Sequence, residues 1–211
     1  FVAASLQGFV IQGSAEPLRG KADAEQRLTA ADFRGEHASG AAHELANWVV
    51  RVADHQGLPF VVVDKVHAHA YVFNSKGHLL GAAPVLLGLA HGDDGTPGIG
   101  DRPLSRIHPE ERNTPAGRFV AALAYNLSRQ EILWVDYEQG ISMHPVRSVN
   151  PQERRQERLD SPTVSDNRIS YGCINVSTSF WREVLKPAFV GTQGVVYVLP
   201  EARPLRSVFP M

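Results

Sequence analysis

The chain has one cysteine, Cys173, in the run Ile169-Ser170-Tyr171-Gly172-Cys173-Ile174-Asn175. A lone cysteine has no partner for an internal disulfide, so its sulfur is either a small buried apolar group or a nucleophile. Gly172 leaves room beside the sulfur for backbone or substrate to approach. Ser177, Thr178 and Ser179 offer N-caps for the stretch from Phe180 to Leu185. That predicts a helix shortly after the cysteine, with the positive end of its dipole near a thiolate or an oxyanion. A thiol nucleophile also needs a base to take its proton. His144 ends the short apolar stretch Ile141-Ser142-Met143, where a side chain can project toward a cleft; its bland alternative is a surface or hydrogen-bonded structural histidine. His108, in the loop of proline and charge after Leu104, is the next candidate base. Ser170 and Asn175 are expected to shape the turn through backbone hydrogen bonds rather than to touch the chemistry.

Other constellations carry less. His67 and His69 stand two apart, a spacing that on a strand puts two imidazoles on one face, as a zinc site requires. No third ligand follows at a suitable spacing, there is no second cysteine and no His-Glu-x-x-His, so no metal is expected. The glycine-rich run from His91 to Gly100 lacks the Lys-Ser/Thr of a P-loop and the Gly-x-Gly-x-x-Gly of a dinucleotide site. It is expected to supply turns and a substrate wall. The mixed-sign run Glu153 to Arg158 is expected to be a solvated helical turn with local ion pairs; the alternative is a cap over the substrate cleft.

These residues need elements to position them. Leu45, Trp48, Val49 and Val52 fall on one face of a helix, which Gly57 and Pro59 end. Strands are predicted at 60–63, 69–73, 78–80, 84–89, 117–123, 131–136, 141–144 and 195–199, with a hairpin turn at 74–77. Many short strands and few helices give a mainly β fold, a mixed sandwich or barrel. Two long loops, 92–114 and 145–168, interrupt the pattern. The second separates His144 from Cys173, so it is expected to border the site, to add little to the core and to act as a lid. Residues 1–40 lack periodicity and are expected to form an N-terminal extension to a domain over 41–211.

Composition bounds the rest. The 211 residues are 43% hydrophobic and 20% charged, with a net charge of −1. No clustered Lys/Arg stripe is present to neutralise phosphates, which argues against nucleic-acid binding. No apolar run approaches the ~20 residues of a membrane-spanning helix. The first residues have no basic start and no clear cleavage site, so no whole signal peptide is read there.

Ser170-x-Gly172-Cys173-x-Asn175, with His144 upstream, resembles the signature of the L,D-transpeptidase catalytic domain, the YkuD-like family of bacterial cell-wall enzymes. Thr114-Pro115-Ala116-Gly117-Arg118-Phe119 resembles that family's Thr-Pro-x-Gly-x-Phe element, and the segment from Tyr71 to Gly88 its opening hairpin. Two positions depart from the pattern: Tyr171 replaces the usual histidine before the glycine, and Pro145 the glycine after His144. The resemblance implies a YkuD-like fold, Cys173 as nucleophile, His144 as base, and backbone N–H groups around Gly172 and Cys173 as an oxyanion hole. It implies a thioester acyl-enzyme formed on a peptidoglycan tetrapeptide stem with loss of D-alanine. An amine then resolves the thioester, from a second stem or from a lysine of an envelope protein. It implies no cofactor, and a place in the periplasm or cell envelope. The alternatives are an L,D-carboxypeptidase or amidase, with water as acceptor, and an inactive peptidoglycan-binding module.

Overall fold

The structure is a computed structural model and describes residues 29–147 and 150–211. Most of the predicted 1–40 extension, residues 1–28, therefore lies outside the described residues.

The chain enters as helix α1 (Gly40–Val52), capped by Ser39, whose side chain accepts from Ala42 N–H at 3.0 Å. Leu45, Trp48 and Val49 are buried as the periodicity predicts, together with Ala42 and Ala46, while Val52 is half exposed. The helix stops earlier than Gly57 because Ala53 adopts a left-handed conformation and returns its N–H to the last turn. Strands β1 (Phe60–Asp64), β2 (His69–Phe73), β3 (Leu79–Pro84) and the short β4 (Leu87–Gly88) follow. The predicted strand 84–89 is thus divided between the end of β3 and β4. Then come β5 (Gly117–Tyr125), β6 (Glu131–Asp136) and β7 (Ile141–Pro145). The insertion forms helix α2 (Arg155–Asp160) before β8 (Arg168–Ser170) and β9 (Ile174–Val176). Helices α3 (Thr178–Phe180) and α4 (Lys186–Phe189) flank a π-helical turn, Trp181–Leu185, and β10 (Gln193–Val198) is the last of the described strands.

Eight strands form one mixed sheet in the order β3-β2-β1-β10-β5-β6-β7-β9, and β4 pairs β8 in a second. An isolated bridge from Leu86 to Asn175 brings the β9 edge back to the chain that leaves β3, so the large sheet nearly closes. The fold is mainly β with a few short helices. β1 is buried on both faces: Val61 and Val63 enter one apolar cluster, with Met143, Ile174 and Trp181, while Phe60 and Val62 enter the other, against α1. A strand buried on both sides reads as a continuous apolar run, which is why Phe60-Val61-Val62-Val63 shows no alternation.

The insertion is more integrated than its polar sequence suggests. Leu159 is buried, Arg158 donates to Glu153 O and Asp166 O, and Asn167 donates to Val85 O. One apolar residue in a polar helical turn gives no periodic signal, so it escapes a pattern search. The two histidines of the possible zinc pair do not share a strand: β2 starts at His69, and a left-handed Ala68 puts His67 in the preceding turn, bonded to Asp64. Among the described residues no group of three His, Cys, Asp or Glu is placed to hold a metal, and no helix is long and apolar enough to cross a membrane.

Candidate active site

Strands β7 and β9 run parallel with Met143 opposite Ile174 and His144 opposite Asn175. Side chains alternate along a strand, so Met143 and Ile174 enter the core while their neighbours face the other way. The pairing therefore gathers Ser142, His144, Cys173 and Asn175 on one face. Cys173 Sγ lies 3.5 Å from Ser142 Oγ and donates to Gly140 O at 3.6 Å. His144 stands diagonally across, one strand repeat further on. Both side chains line a cavity of about 330 Å³, together with Leu104, Arg147, Glu153, Arg155, Tyr171 and Asn175. His108 is exposed and does not line it.

The turn that carries the sulfur is held from both sides. Ser170 Oγ accepts from Gly172 N–H at 3.0 Å and donates to Cys173 O at 2.6 Å. Thr114 Oγ1 donates to Gly172 O at 2.8 Å and accepts from Gly88 N–H at 2.9 Å. Gly172 has φ +125°, and a Cβ there would lie 2.7 Å from both Asn113 O and Ile141 Cδ1, so no side chain fits. Tyr171, the departure from the family pattern, packs its ring 4.0 Å beneath the Arg112 guanidinium. The predicted helix forms where Ser177 caps it, but it does not abut the sulfur. β9 intervenes, and α3 begins only at Thr178, with Ser177 Oγ accepting from Phe180 N–H. A helix dipole acts over about its first turn, so it does not reach Cys173.

The histidine belongs to a chain of hydrogen bonds whose direction is fixed from one end. Arg155 Nη1 donates to Asn175 Oδ1 at 2.5 Å, since guanidinium has no acceptor. That leaves Asn175 Nδ2 to donate to His144 Nε2 at 3.2 Å. Nε2 is then the unprotonated nitrogen, and Nδ1–H donates to Pro145 O at 2.9 Å. Burial pushes the His144 pKa down to about 4, the Pro145 bond opposes this, and the charges of Arg147 and Arg155 add to it. The ring is neutral at pH 7, with its Nε2 lone pair held by the Asn175 amide. Asn175 thus does more than shape the turn: its buried amide meets the histidine. Arg147 is half-buried, has no hydrogen-bond or ion-pair partner among the described residues, and its charge is felt by Cys173 and His144.

Sequence reasoning missed Arg147, Arg155 and Ser142. Ser142 was legible, because any residue two before His144 on a strand shares its face. The arginines were not, because an arginine in a polar loop looks solvated until the loop is placed.

No family model and no curated protein matches the chain. Solved structures do resemble it. The helical cell shape determining protein Pgp2 from Campylobacter jejuni matches at 13% identity and a TM-score of 0.45, over 69% of this chain and 49% of that one. The catalytic domain of the Enterococcus faecium L,D-transpeptidase matches at 17% identity and a TM-score of 0.40, over 67% of this chain and 96% of that one. An L,D-transpeptidase from Mycobacterium smegmatis matches at 17% identity and a TM-score of 0.38, over 66% of this chain and 58% of that one. The chain thus spans about half the length of the Pgp2 chain. Likenesses of this size say nothing of the reaction, which must be read from the site.

Proposed function

We propose that this chain is a cysteine acyltransferase of the L,D-transpeptidase kind, acting on peptidoglycan stem peptides in the bacterial envelope. The supporting observation is the parallel register of β7 and β9, which puts a thiol and a neutral, correctly protonated imidazole on one face of one cavity. The motif around Cys173 supplies the substrate class.

At rest the thiol donates to Gly140 O, and His144 Nε2 accepts from Asn175. In the reaction the Asn175 amide yields the Nε2 lone pair to the thiol. His144 takes the proton, and the thiolate attacks the carbonyl that joins the L-centre of the diamino acid to the terminal D-alanine. Gly172 N–H is already engaged by Ser170, so Cys173 N–H is the donor next to the sulfur for the oxyanion. As the C–N bond breaks, His144 returns the proton to D-alanine, and a thioester remains on Cys173. An amine from a second stem attacks the thioester, gives its proton to His144, and the thiolate leaves. Arg147 supplies positive charge facing the thiolate and the carboxylate of the departing D-alanine.

Purified protein incubated with a tetrapeptide muropeptide tests this by mass spectrometry. The expected result is a Cys173 adduct of the stem less D-alanine, chased by an added amine and absent in Cys173→Ala. No adduct and unchanged muropeptides, with the protein folded, would overturn the reading and leave a binding module.

A further inference from the structure

The sulfur of Cys173 bonds to Gly140 O, and Gly140 also lines a second, larger groove of about 750 Å³, whose lining holds no arginine. The groove runs between the β6–β7 turn, the tip of the β5–β6 hairpin and the glycine-rich loop at 97–101. Its aromatic wall is Tyr125, Trp134 and Tyr137, with Tyr125 70% and Tyr137 79% exposed. Trp134 and Tyr137 hold each other, their ring centroids 4.8 Å apart. Polar groups share the lining, among them Asp101, Asn126 and Glu138.

This groove is built rather than left over. Asp136 Oδ1 accepts from Glu138 N–H at 3.0 Å and Gln139 N–H at 3.1 Å, which fixes the turn. The glycine loop lies so close to it that a Cβ on Gly100 would collide with Glu138 O. The glycine there permits backbone against backbone.

We propose that this groove binds the glycan strand of the substrate, a polymer of N-acetylated amino sugars. The proposal rests on the peptidoglycan reading above. A pyranose presents an apolar C–H face and a polar rim of hydroxyl and acetamido groups. Exposed rings take the first, and carboxylates and carboxamides at the groove edge take the second. A stem peptide carries carboxylates and suits the Arg147 side of the thiol. The groove adds Asp101 and Glu138 and no Lys or Arg, so it repels the stem and leaves the neutral sugars as its occupant. One sulfur between a cationic cavity and an aromatic groove matches a polymer in which acidic peptide branches from neutral sugar.

The test uses Cys173→Ala protein, which turns nothing over, and the neutral tetramer of N-acetylglucosamine, since peptide-free N-acetylmuramic acid carries a free carboxylate. The indole N–H resonance of Trp134, identified with Trp134→Phe, is followed by NMR. The expected result is a saturable shift with the sugar and about tenfold weaker binding in Tyr137→Ala. A free stem tetrapeptide is expected to leave Trp134 unmoved. No shift at millimolar sugar, or a shift with the stem peptide alone, overturns the proposal. Neither result bears on the acyl-enzyme assay, so the two readings fail separately.

Discussion

A histidine that stays neutral down to about pH 4 is a base over a wide range, and this sets the first expectation. If His144 takes the thiol proton, acylation of Cys173 loses its base in a limb near pH 4, not near the ordinary 6.5. Stability moves with the same group. Between pH 6.5 and 4 the unfolded chain binds a proton that the folded one refuses, so stability falls as pH falls through that window. The shift corresponds to about 3 kcal/mol from this side chain. Urea unfolding of the wild type and of His144→Gln at pH 7 and pH 5 isolates it; equal losses in both proteins would refute the burial argument. Arg155→Ala removes a charge that depresses the ring and releases the Asn175 amide, so the His144 pKa is expected to rise in an NMR titration. Gly172→Ala is expected to abolish acylation and to cost about 2 kcal/mol or more, because its positive φ and the Asn113 carbonyl both oppose a Cβ. Full activity in Gly172→Ala would mean that the turn can be rebuilt. At this scale the sequence was informative about the groups that resemble a motif, Cys173, His144 and Gly172. It was silent on Arg147 and Arg155, whose place near the sulfur depends on how the insertion folds back.

The insertion between β7 and β8 is the element on which sequence and structure differ most. Its polar composition predicted a lid with little share in the core, yet Leu159 is buried and Arg155 reaches the Asn175 amide. Replacing residues 151–162 by a short linker is therefore expected to cost about 2 kcal/mol, the burial of one leucine, while the sheet remains. The same change is expected to raise hydrolysis relative to transfer, since the cavity loses Glu153 and Arg155 and admits water. A product ratio that did not move would remove the insertion from the choice of acceptor. Strands were easier to read than this helix. β1, β2, β6, β7 and β10 are apolar enough to announce themselves, and the Asn74–Gly77 turn is tied by Asn74 Oδ1 to Lys76 and His78 N–H groups. What a linear pattern cannot supply is the order of strands. That β7 lies beside β9 is a fact of topology, and the geometry of the site follows from it.

Across the whole molecule, a buried charge cluster links segments far apart in sequence to the turn of the nucleophile. Lys65 has no exposed surface and donates to Gly92 O, Asp93 Oδ1 and Thr114 O. Asp93 accepts from the N–H groups of Glu201, Ala202 and Arg203, and Arg168 pairs with Glu201 at 2.6 Å. Thr114, at the edge of this cluster, holds Gly172. Removing one member leaves a buried charge uncompensated, so Lys65→Met is expected to destabilise by about 3–5 kcal/mol in denaturant unfolding. A loss under 1 kcal/mol would show that water reaches the cluster. Nothing in the run Val63-Asp64-Lys65 marks this lysine as buried, because its partners arrive from three distant segments, at 92–93, 114 and 201.

The place of β10 has a kinetic consequence. It pairs β1 on one side and β5 on the other, so it is the strand that joins β1, β2 and β3 to β5, β6, β7 and β9. Residues 60–64 wait for a partner from 193–198, a distant contact whose closure entropy slows assembly. Until it docks, the apolar β1 and the long β5 are open edges, each able to template pairing with another chain. A nascent or truncated chain without residues 193–198 is for that reason expected to aggregate, while in the completed chain β10 covers both edges.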